Sequence, residues 1–127
     1  MLTIMPQQMR VFATAMLESW IVEHLAEFFP DEIAGLDSHE ILSRVRAAIE
    51  QADRHGFVTD SQMCRYVDLT FILGPAFVQD PNLPWAAEIL ADERLTDPEM
   101  RMEVLFGAAR DHVTRIESID ASQEVAG

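Results

Sequence analysis

The sequence predicts an all-α, single-domain bundle of about five helices, with a packed proline-rich turn between the third and the fourth. Two observations carry that prediction. Apolar residues recur at spacings of three and four on both sides of one interrupted stretch, and helix-capping signals stand at Asp37, Thr59 and Thr96-Asp97. The 127 residues, 49% of them hydrophobic, suffice for one core that needs neither disulfide nor metal. Residues 1–118 are expected to form the helical domain, and 119–127, small, polar and acidic, a disordered tail.

Pro6 followed by Gln7 to Phe29 without glycine or proline reads as one long helix ended by Pro30. At 100° per residue, Met9, Ala13, Met16, Leu17, Trp20, Ile21, His24 and Phe28 share an arc, the expected core face. Val11, Val22, Leu25 and Phe29 fall outside it. A helix apolar on more than one side is either central in its bundle or keeps a face for a partner. Asp31 to Gly35 is a short acidic connector. Asp37-Ser38-His39-Glu40 has the form of a capping box, and Ile41, Val45, Ala48, Ile49 and Ala52 follow at helical spacing to about His55, with Gly56 as the stop.

The third helix starts at Thr59, a good cap with Gln62 three residues later, while Val58 and Met63 are placed for a hydrophobic staple. Met63, Tyr66, Val67, Leu69 and Phe71 supply its inward face, and Arg65 can pair with Asp68 across one turn. Gly74-Pro75 closes it. From Gly74 to Trp85, three prolines and a glycine forbid a continuous helix, yet Phe77, Leu83 and Trp85 are too apolar for a solvated loop. An ordered, packed turn is the expectation. Pro84 suits the first turn of a short helix to Leu90, and Thr96-Asp97-Pro98-Glu99 begins a last one running to about Ile116 with Val104, Leu105, Ala108, Ala109, His112, Val113 and Ile116 as its stripe.

The formal net charge is −13, and all nine basic residues are arginine. Such a surface repels phosphate backbones and anionic lipid, so nucleic acid and membrane are not the expected partners. No apolar run is long enough to span a bilayer, no secretory signal opens the chain, and Cys64 is alone, which together point to the cytoplasm.

No catalytic set emerges, and the chain is expected not to be an enzyme, with no cofactor and no metal. His24 and His112 lie on apolar faces, but neither belongs to a His-Glu-x-x-His or Glu-x-x-His pair, so an interhelix hydrogen bond is the expected role. Cys64 is expected to be a small core filler rather than a nucleophile. Glu23 and Glu27, one turn apart, are the chance pairing of an acidic chain. What remains is recognition of protein, since aromatic residues, methionine and arginine are the types enriched at interfaces. Phe12, Phe28 and Phe71 are assigned to the core. The partner-binding candidates are Tyr66, Phe77, Pro81, Leu83, Pro84 and Trp85, with core and contact equally open for Phe77 and Trp85.

His55-Gly56-Phe57-Val58-Thr59, Arg65-Tyr66-Val67-Asp68-Leu69, Leu73-Gly74-Pro75-Ala76-Phe77 and Asp80-Pro81-Asn82-Leu83-Pro84-Trp85-Ala86 resemble segments of small helical accessory proteins encoded beside type VI secretion adaptor-chaperone, PAAR and effector genes. The resemblance covers about residues 41–90. It implies a non-catalytic cytoplasmic co-chaperone that helps an adaptor chaperone load an effector onto the secretion spike. An immunity protein neutralising a neighbouring toxin is the alternative.

Overall fold

A computed structural model of the protein describes the backbone of residues 6–126 and the side chains of residues 12–118. The chain forms α1 (Pro6–Phe28), α2 (Pro30–Ile33), α3 (Ser38–Arg54), α4 (Asp60–Leu73), a 3₁₀ turn (Phe77–Gln79), α5 (Pro84–Leu90) and α6 (Pro98–Ala126). No strand occurs among the described residues, so the all-α bundle is as expected. Two differences concern helix limits. The acidic connector contains the extra turn α2, which Pro30 opens from the position it favours. The last helix runs past Ile116, because neither proline nor glycine stands between Ala108 and Ala126 to stop it.

Helix α4 is central, with α1, α2, α3, α6 and the 3₁₀ turn packed against it. Its buried residues, Gln62, Met63, Cys64 and Tyr66 through Phe71, cover almost its whole circumference, as a helix enclosed on all sides requires. Around it Ile21 and Leu25 from α1, Val45, Ala48 and Ala52 from α3, and Met102, Leu105 and Ala109 from α6 complete the core. Arg65 and Asp68 do not pair. Arg65 leans over the Phe106 ring of α6, 5.8 Å from its centroid, while Asp68 is buried and faces α1. A local pair worth a few tenths of a kcal/mol gives way to the helices on either side.

The helix joints follow the capping chemistry closely. Asp37 accepts a hydrogen bond from the Glu40 amide at 2.8 Å. Gly56 takes φ +86°, and the amides of His55, Gly56 and Phe57 turn back onto the last carbonyls of α3. The His55 carbonyl also receives Arg101 Nη1 at 2.7 Å, so α6 satisfies an acceptor that α3 leaves open. Burial, and then the Arg101 charge, hold the His55 imidazole below its usual pKa.

At α4 the capping box is complete. Thr59 Oγ1 accepts from the Gln62 amide at 3.1 Å, and Gln62 Oε1 accepts from the amides of Val58 and Thr59. Gln62 Nε2 then donates to Glu99 at 2.9 Å, which ties the start of α4 to the start of α6. Val58 is exposed, so the staple with Met63 contributes little. Thr59→Ala should cost about 1 kcal/mol, up to about 2, in a urea unfolding titration with no change in slope.

The stretch after α4 is packed, as expected. Gly74 at φ +112° turns the chain out of the helix, Phe77 begins the 3₁₀ turn, and Asp80 Oδ1 accepts from the Asn82 amide at 2.9 Å to hold the next bend. Pro84 occupies the first turn of α5.

Candidate functional site

Burial removes half of the sequence-derived partner residues from consideration. Tyr66, Phe77 and Leu83 are buried, and Tyr66 is the hub of a ring cluster, 5.9 Å from Phe57 and 5.4 Å from Phe77, with its hydroxyl donating to Gln51 Oε1 at 3.2 Å. Burial pushes that hydroxyl's pKa up to about 12. Pro81 and Pro84 are exposed, and Trp85 is half-buried against His112, ring centroids 5.8 Å apart. The proline-rich turn is therefore chiefly a core element, with its three prolines, Pro75, Pro81 and Pro84, exposed and Trp85 half-buried.

The large exposed apolar surface lies on α1. Phe12 is 67% exposed, Met16 59%, Trp20 49% and Phe28 62%. Three of these were assigned to the core arc and Phe12 to the core, and the structure places all four outside it. Of the predicted arc the helix buries Ile21, with Leu17 and His24 half-buried, and it adds Leu25 and Glu18 from beside the arc, the Glu18 carboxylate accepting from Arg46 Nε of α3 at 2.6 Å. The buried face is thus shifted from the expected arc toward Leu25 and overlaps it at Leu17, Ile21 and His24, because α1 is apolar almost all round. Met9 and Val11 lie outside the described side chains. Residues 12–16 are exposed without exception, and Leu17 is the first described side chain of α1 that is not.

The exposed residues are spaced at four, Phe12, Met16, Trp20 and, after His24, Phe28, so each stands next to the last while the series winds slowly round the helix. The His24 ring lies among it, 6.1 Å from Trp20 and 5.1 Å from Phe28, and 5.9 Å from the half-buried Phe29. A smaller exposed apolar set, Met100, Val104 and Ile116, lies on α6.

His24 turns its other edge inward. Its Nε2 is 3.0 and 3.1 Å from the two carboxylate oxygens of Asp68 on α4, an interhelix hydrogen bond of the kind expected. The converging partners that the local sequence around His24 lacks are supplied by α4, where Cys64 joins Asp68. Burial raises the Asp68 pKa, and the hydrogen bond and charge of His24 oppose that rise. Burial, followed by the negative Asp68, pushes the Cys64 thiol up to about 12 despite the opposing Arg65 charge. At neutral pH this buried sulfur is a thiol, without the ionisation and access that nucleophilic chemistry needs.

Between α4 and α6 lies a cleft of about 680 Å³ lined by Arg65, Glu103, Phe106 and Arg110. Its two guanidinium groups share the wall with a carboxylate.

Compared with known protein families, with curated proteins and with solved structures, the chain matches none. Among the described residues no helix is long and apolar enough to cross a membrane.

Proposed function

We propose that the protein is a non-catalytic, protein-binding accessory factor that docks through the exposed row of α1, as a co-chaperone helping an adaptor chaperone load a type VI secretion effector. The observation that carries this reading is the row itself. Four large apolar side chains, two of them phenylalanine and one tryptophan, stand in water along a strip that winds round α1 beside the residues that the helix buries. Leaving them solvated is unfavourable by about 25 cal/mol per Å² of apolar surface, and contiguous exposure of this kind marks an interaction surface. Rigid aromatic rings are also the side chains that dominate binding energy when a partner encloses them.

The charge of −13 favours a partner whose apolar groove is rimmed by basic residues, which steers encounter without adding to the contact. Cytoplasmic action and the lack of a catalytic role belong to the same reading. The segment Gly74 to Trp85, which carries the resemblance, then acts indirectly by holding α4 and α5 in place.

Co-expression with the adaptor chaperone and effector encoded by neighbouring genes tests this directly. The protein should co-purify with one or both, and the double substitution Trp20→Ser with Phe28→Ser should weaken that association by at least about 100-fold while leaving the melting temperature unchanged. A complex indifferent to the double substitution would overturn the docking assignment, and failure to bind either product would overturn the accessory role. The acidity also suits an immunity protein facing a basic toxin. Rescue of cells producing the toxin selects that second reading, whereas a co-chaperone leaves them dying and is required for export.

A further inference from the structure

His24, Cys64 and Asp68 bring one imidazole nitrogen, one sulfur and one carboxylate oxygen within 4.8 Å of one another. They arrive from two helices. Cys64 and Asp68, four residues apart on α4, project from one side of that helix, one above the other. His24 comes from α1, 44 positions from Asp68 along the chain. Cys64 and Asp68 are buried and His24 is half-buried, so water does not compete freely for these atoms.

Imidazole, thiolate and carboxylate are the ligand types of zinc-class ions, which in open sites take three protein ligands and keep a fourth position for water. The spacing is close to what such an ion needs. His24 Nε2 is 3.0 Å from Asp68 Oδ1, and nitrogen and oxygen ligands about 2.0–2.1 Å from a tetrahedral ion stand about 3.3 Å apart. A sulfur about 2.3 Å from the ion stands about 3.6 Å from the nitrogen, so Cys64 Sγ moves inward by on the order of 1 Å at most. A rotamer adjustment covers that distance. A dication would also neutralise a carboxylate whose charge burial disfavours.

We propose that His24, Cys64 and Asp68 bind one divalent transition-metal ion of the zinc class, with water as fourth ligand, clasping α1 to α4. The Cys64 sulfur–metal bond forms as the thiol proton leaves to solvent. His24 coordinates as neutral imidazole through Nε2, with its proton on Nδ1, and Asp68 binds through one oxygen in place of its hydrogen bond to His24. Because Trp20 and Phe28 flank His24 on the same helix, the ion would fix the setting from which the exposed row is presented. The site stands independently of the docking reading, since it rests on the three ligand atoms alone.

The test uses the full chain, stripped with a chelator and titrated with cobalt(II) as a spectroscopic probe for zinc. One equivalent should give tetrahedral d–d bands together with a sulfur-to-cobalt charge-transfer band, and zinc should abolish both. Cys64→Ser, nearly isosteric, should remove the charge-transfer band and weaken cobalt binding at least tenfold, with helicity by circular dichroism confirming that the variant is folded. His24→Gln should weaken binding to a similar extent. Zinc should raise the melting temperature of the parent protein but not of Cys64→Ser. Lack of a sulfur-to-cobalt band in the parent protein would overturn the site without recourse to any variant. Equal affinity in Cys64→Ser would overturn it too, by assigning the ion to surface carboxylates.

Discussion

Phe77→Ala should destabilise the protein by about 3–5 kcal/mol and lower its melting temperature by on the order of 10–20 °C, read from thermal and urea unfolding. The ring is fully enclosed, 5.4 Å from the centroid of Tyr66, and Tyr66 in turn contacts Phe57 behind the C-terminus of α3. Truncation removes the apolar surface that anchors the 3₁₀ turn and leaves a cavity against α4, the helix that almost every other element uses. A loss of that size is a large part of the stability of an ordinary domain, about 5–15 kcal/mol. Pro81→Ala, exposed on the same turn, supplies the control and should change stability by no more than about 1 kcal/mol. If Phe77→Ala unfolds no more easily than Pro81→Ala, the turn is not a core element and its ring is available to partners after all.

The contrast between Phe77 and Phe28 shows where sequence is informative. Joints were legible because capping is local. Thr59 and Gln62 stand three residues apart, Gly56 follows the last turn of α3, and Pro84 sits where a helix can begin, so residue type and spacing suffice to place each boundary. Core membership of the proline-rich stretch was legible only as an alternative, since an apolar ring held on a turn suits a core and a partner equally well. The facing of α1 was legible only in part, at Leu17, Ile21 and His24. Periodicity locates a buried face only when the opposite face is polar, and α1 carries large apolar residues on both. Glu18 adds to the confusion, because its burial beside Ile21 depends on Arg46, 28 residues away on another helix.

The same limit hid the polar cluster. Near His24 in sequence the nearest carboxylates are Glu23 and Glu27 of its own helix, and nothing near Asp68 except Arg65 offers an obvious ionic partner, so local rules paired Asp68 with the wrong residue. The signal that was available is a polar residue at each of two positions inside otherwise apolar faces, His24 on α1 and Asp68 on α4. Buried polar groups must find one another, and two such intrusions on helices that must pack together are candidates for a pair.

That pairing has an energetic consequence that single and double substitutions separate, measured in metal-free buffer with a chelator present. His24→Leu leaves the Asp68 carboxyl buried without its imidazole partner, and Asp68→Leu leaves the His24 Nε2–H facing an apolar wall. Each should cost about 1–3 kcal/mol, the expense of an unsatisfied buried polar group, in addition to any misfit of the new side chain. The double variant leaves neither group behind and replaces the hydrogen bond by two apolar side chains between α1 and α4. Its destabilisation should therefore fall below the sum of the single losses by about 0.5–3 kcal/mol. Additive losses would mean that the two residues do not act as a pair, and that the other contacts of α1, Leu17, Ile21 and Leu25 with the Glu18–Arg46 bond among them, hold it in the setting that exposes Phe12, Met16, Trp20 and Phe28. A sub-additive result assigns part of that task to the His24–Asp68 contact, which lies directly beneath the exposed rings. The presentation of the exposed rings would then depend on a polar pair whose imidazole lies among them.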